Sequence, residues 1–121
     1  MKTLLIIACC FFFLTVNAQA DKEIVGKWKL VKFTKPSGKE KAIKKEFGSG
    51  EVYQIFEANH DFKSTIGNKE YSGTWKIVKN GQELQIDTGS GPLKFKLVYM
   101  DAEKRTISNG MLGTLDYVKV E

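Results

Sequence analysis

The sequence predicts an all-β domain of eight antiparallel strands in up-and-down order, closed into a barrel. Three observations carry that expectation. Apolar and polar residues alternate with a period of two along much of the chain, the signature of half-buried strands. Turn-forming residues interrupt the alternation at short intervals, and most connections are of hairpin length.

The first strand is expected near 25–33, where Trp28 and Leu30 sit between Lys27 and Lys29. The stretch from Thr34 to Gly50 is the exception to the alternation. Pro36-Ser37-Gly38 is a turn, and Lys39 to Phe47 has helical composition, with Ala42, Ile43 and Phe47 as anchors. A short helix or a mobile loop therefore joins the first two strands. Seven more strands follow near 51–58, 61–66, 70–79, 82–88, 92–100, 103–109 and 112–120. Leu84 and Ile86 alternate with Glu83, Gln85 and Asp87; Leu93, Phe95, Leu97 and Tyr99 alternate with Lys94, Lys96 and Val98. The breaks are Asn59-His60-Asp61, Gly67-Asn68, Asn80-Gly81, Gly89-Ser90-Gly91-Pro92, Asp101-Ala102 and Asn109-Gly110. Asn-Gly supplies the positive φ angles of tight hairpins. A β-sandwich is the rival arrangement, but Greek keys need a long return connection and the meander does not. Closure into a barrel also removes exposed strand edges.

The first twenty residues read as a secretory signal peptide, leaving one domain over 21–121. Lys2 gives a positive start, Leu4 to Val16 is apolar but for Thr15, and Ala18-Gln19-Ala20 fits a small-x-small cleavage site. The apolar run of 13 residues is shorter than the roughly 20 a membrane helix needs. Hence no membrane-spanning segment is expected in the mature chain, and the expected location is the periplasm or the exterior. Ile6-Ile7-Ala8-Cys9 loosely resembles a lipoprotein cleavage box, although Phe11-Phe12-Phe13 follows where a polar tether would stand.

Both cysteines, Cys9 and Cys10, fall in the leader, so the mature domain rests on its core without disulfides. Thiolate metal sites and cysteine nucleophiles are thereby excluded. Without Lys2, 18 basic side chains face 14 acidic ones, a net charge of +4, and Arg105 is the single arginine. Nucleic-acid readers favour arginine, and no motif of that class is present, so no nucleic-acid partner is expected. Lys27, Lys29, Lys76, Lys94 and Lys96 should face outward and keep the barrel soluble. His60, the single histidine, lies in a turn; one histidine without cysteines argues against zinc. No cofactor is expected, and with no catalytic constellation the chain is read as a non-enzyme and a monomer.

Gly26-Lys27-Trp28-Lys29-Leu30 resembles the glycine-x-tryptophan opening of lipocalins, and Gly73-Thr74-Trp75-Lys76-Ile77 repeats it on the fourth strand. Phe56-Glu57-Ala58-Asn59-His60-Asp61-Phe62 resembles the phenylalanine-turn-phenylalanine hairpin of small bacterial lipocalin-like domains. The resemblance spans the mature chain in strand number and order. It implies that Trp28 and Trp75 hold the barrel together and do not touch ligand. Many lipocalins also pack a basic residue, placed just after the last strand, over the signature tryptophan. Here the chain ends near that strand and Arg105 falls on the seventh.

Taking the tryptophan phase as inward gives an expected interior. It comprises Trp28, Leu30, Phe56, Phe62, Ile66, Tyr71, Trp75, Ile77, Leu84, Ile86, Leu93, Phe95, Leu97, Tyr99, Ile107, Leu115 and Tyr117. Eight-stranded barrels either pack solid or hold one small ligand, and the sequence leaves both open. Arg105 shares the phase of Ile107. It either points inward, where with Tyr71, Tyr99 and Tyr117 it would clamp a carboxylate, or it reaches solvent beside Glu103. The clamp resembles the acid sites of fatty-acid-binding barrels. Phe62 and Phe95 complete the candidate ligand-binding set.

Two functions follow. In the first, the barrel carries or senses a small apolar or amphipathic molecule, and a cavity of about 300 Å³ or more is expected. In the second, the barrel is filled and its loops, the Thr34 to Gly50 segment above all, engage a protein as an inhibitor or envelope accessory factor.

Overall fold

The alternating runs become strands, and their inward residues meet in one apolar core. The computed structural model describes residues 19–121. The expected leader, except Gln19 and Ala20, and with it the cysteine pair, lies outside the described residues. A helix, α1, covers 19–24. Then come β1 (Gly26–Thr34), β2 (Glu40–Lys41), the helix α2 (Ile43–Phe47), β3 (Val52–Phe56), β4 (Asp61–Ile66) and β5 (Lys69–Val78). The order continues with β6 (Glu83–Asp87), β7 (Pro92–Met100), β8 (Lys104–Asn109) and β9 (Gly113–Lys119). The segment between the first two long strands thus holds a short helix, ended by Gly48 in the left-handed conformation at φ 80°. It also holds a two-residue strand that the sequence did not announce.

All pairings are antiparallel. β1 and β3 through β9 form a closed ring of eight strands, each beside its neighbour in sequence, and β9 returns to pair with β1. β2 is an addition against Phe33 and Thr34. One end of the ring carries α1, the turns at 57–60, 79–82 and 101–103, and the end of β9; the other carries α2 and the turns at 67–68, 88–91 and 110–112.

The core comprises Ile24, Trp28, Leu30, Phe33, Val52, Phe56, Phe62, Trp75, Leu84, Ile86, Phe95, Ile107, Leu115 and Tyr117. Trp28 and Trp75 are therefore on the same, inner face. Ile66, Ile77 and Leu97 are partly buried against this cluster. The glycine of each tryptophan motif stands where a backbone comes close. A Cβ on Gly26, at φ 137°, would lie 2.5 Å from the Glu121 carbonyl oxygen, and one on Gly73 would lie 1.9 Å from that of Asp87.

Three expected interior residues are placed differently. Tyr99 is exposed because β7 bulges at Val98. The register passes from Leu97↔Ile107 to Tyr99↔Thr106, which turns Tyr99 outward and brings Met100 opposite Arg105. Tyr71 keeps the inner phase, opposite Ser64, yet is 44% exposed. The reason is stagger: β6 pairs only with Thr74 to Val78, so Tyr71 projects past the last rung. Leu93 is exposed for a like reason, since β8 meets β7 only from Lys96 onward. A bulge at Val31 acts in the opposite sense and carries Phe33 into the core.

Candidate functional site

The end bearing α1 is shut by both tryptophans in the same manner. Trp28 Nε1 donates to the Ile24 carbonyl at 2.8 Å, which fastens the end of α1 beneath the barrel. Trp75 Nε1 donates to the Glu57 carbonyl at 3.0 Å, which fastens the β3–β4 turn. His60, at φ 75° in that turn, stacks on Trp75 with 4.2 Å between centroids and 5° between planes, and its Nδ1 lies 2.9 Å from the Trp75 carbonyl. Turn geometry and stacking thus account for the single histidine. Among the described residues, no group of three or more His, Cys, Asp or Glu side chains could hold a metal ion.

Arg105 does not reach solvent. It is fully buried, with its guanidinium carbon 4.9 Å from the Trp28 ring, 4.6 Å from Phe56 and 4.2 Å from Tyr117. Lys119 Nζ lies 5.2 Å from Trp28 and donates to the Glu23 carbonyl at 2.7 Å. A basic residue at the end of the last strand and one from the seventh ring strand (β8) therefore both pack over the signature tryptophan. The sequence could not place Arg105 there, because its strand pairs with neither Trp28 nor Phe56.

The surroundings of Arg105 are electrostatically incomplete. Its Nη2 donates to Gln54 Oε1, whereas Nε and Nη1 are buried with no acceptor among the described residues. Nor does any described carboxylate form an ion pair with it. Burial lowers the guanidinium to about 10, with the Tyr117 phenol acting against that shift. Burial likewise raises Tyr117 to about 12, opposed by the Arg105 charge. At neutral pH the pair is a cation beside a protonated phenol. Cation–π contacts with three rings offset part of the desolvation cost, but two donors remain unmet.

Gln54 and Tyr117 also line a pocket of about 170 Å³ that opens at the α2 end. Phe33, Phe47, Val52, Ile66, Phe95 and Leu115 supply its apolar wall, and Glu46 and Ser64 add polar atoms. Arg105 thus lies one side chain below the pocket floor. Phe47 packs edge-on against Phe33 at 5.6 Å, so α2 forms part of the rim. The volume is below the 300 Å³ expected for a carrier, since Leu115, Phe95 and Tyr117 fill much of the lumen.

Of the candidate ligand-binding residues, Phe95 and Tyr117 reach the pocket and Arg105 lies beneath it. Phe62 instead packs on Phe56 at 5.1 Å, toward the shut end. Tyr71 stands outside the pocket, and the outward Tyr99 gives its hydroxyl to Asp101 Oδ2 at 2.6 Å. The clamp of three tyrosines is reduced to Tyr117. Gln54, Val52, Phe33 and Phe47 were missed as site residues. Val52 and Gln54 share the period-two phase of Phe56, a signal that was present in the sequence.

The model of the lipocalin-like domain family matches residues 24–104. A crystal structure of a lipocalin-like protein from Bacteroides uniformis superposes with a TM-score of 0.63 at 16% identity, over 81% of this chain and 99% of that one. An uncharacterized protein from Bacteroides eggerthii gives 0.64 at 17% identity, over 80% and 99%. At such identities the likeness is one of fold. No curated protein matches the chain significantly. With the family model covering most of the domain and the ring of eight strands closed, the chain belongs to the lipocalin-like domain family.

Proposed function

We propose that this protein is an exported, monomeric binding barrel that takes a small apolar or amphipathic molecule into its open end and does no chemistry on it. The observation that carries this reading is the pocket of about 170 Å³ walled by Phe33, Phe47, Val52, Ile66, Phe95 and Leu115. One end of the barrel is sealed and the other is not, which is the shape of a receptacle. The size favours a compact ligand over a long acyl chain. Export rests on the apolar leader and the Ala18-Gln19-Ala20 pattern.

Native mass spectrometry of the full chain, purified from its own host, tests the reading. A chain of monomer mass with a non-covalent small adduct, released on unfolding, is the expected result. A chain that carries only a co-purifying protein would refute it. That outcome would favour recognition by loops, for which the exposed Leu93, Met111 and Leu112 at the open end offer apolar contacts.

A further inference from the structure

Arg105 is a fully buried cation with no counter-charge among the described residues, and two of its donors find no acceptor there. Removing an ion from water costs several kcal/mol unless charge and hydrogen bonds are both supplied. Aromatic faces answer part of the charge and none of the idle donors. A buried water would answer a donor but leave the charge uncompensated. An anion would answer both the charge and the donors.

We propose that the pocket is selective for small carboxylates, whose head group reaches Arg105 through the floor formed by Gln54 and Tyr117 while the tail lies among Phe33, Phe47 and Phe95. This inference rests on the binding-barrel reading and names its ligand class. Three features support it. Gln54 Oε1, at the base of the pocket, already accepts from Arg105 and so holds the position of a ligand oxygen. A carboxylate that displaces it brings two oxygens and a full charge, a match for the planar guanidinium. Tyr117 lines the same floor and is protonated at neutral pH, which leaves its hydroxyl as a further donor to the anion. The wall around the floor is mostly apolar, its polar members being Ser64 and a Glu46 already paired with Lys41 at 2.8 Å. The apolar part strengthens the Arg105–carboxylate pairing by excluding water.

Hexanoate and 1-hexanol share a tail short enough for this pocket and differ in the head group, so they are the probes. Calorimetric titration of the full chain at pH 7 should show hexanoate binding at least tenfold tighter than hexanol. Nuclear magnetic resonance should show the Arg105 Nε–H signal moving with hexanoate only. In Arg105→Met, checked for fold by near-ultraviolet circular dichroism, the preference for hexanoate over hexanol should vanish. Equal affinity of the unmodified chain for both probes overturns the carboxylate assignment and leaves the apolar receptacle standing. Failure of both probes to bind at millimolar concentration overturns the two together. The unmodified chain alone decides the matter should the variant not fold.

Discussion

The two ends of the barrel are built from the same alternating strands but are held in different ways. At the shut end, Trp28 and Trp75 each combine a large buried ring with an indole donor to a backbone carbonyl of the segment crossing the base. Lys119 adds a third tie, to Glu23. At the open end, the covering helix α2 has no buried residue, and it meets the barrel through Phe47 on Phe33. Polar ties hold the base, whereas only partly buried apolar side chains, Ile43 and Phe47, hold α2 at the rim. One end is thus a foundation and the other a looser cover. The difference teaches that a barrel of this size can be closed by fastening one end while the other keeps a pocket of about 170 Å³.

The largest effect expected from this contrast is at Trp28. Replacement by alanine should cost about 3–5 kcal/mol in urea denaturation, because a fully buried ring is lost and α1 is released. A cost under about 2 kcal/mol would show that the base is not the foundation described. At the rim, Phe47→Ala removes a half-buried ring and an edge-on pair, worth about 1 kcal/mol. Denaturation should record that modest loss, and dissociation of a bound probe should quicken; a loss rivalling that of Trp28 would erase the distinction between the ends. The smallest effect is at Tyr71, which projects past the last rung. Tyr71→Ala should leave stability within about 0.5 kcal/mol. A larger change would place that ring inside the lumen after all.

Much of this architecture is legible in particular residues. Alternation around Trp28, Leu84, Phe95 and Leu115 locates strands and faces, and the paired glycine-x-tryptophan motifs mark where backbones approach closely. The phase of Val52, Gln54 and Phe56 was equally readable. Leu97 to Met100 was not, because four apolar residues in a row conceal the bulge that turns Tyr99 outward. Arg105 was ambiguous for another reason. Its burial depends on Trp28, Phe56 and Tyr117 from three other strands, and no local pattern records their convergence.

By itself, the order of residues determined an eight-stranded meander, its apolar face and the positions of its turns, because hairpin pairing and period-two alternation are local properties. Tertiary structure alone decided which end opens, which tyrosines enter and that a lone guanidinium lies beneath the pocket. A bulge reverses facing by one residue, and the stagger of a tilted ring sets how far each strand outruns its neighbour. Both are consequences of closing the ring.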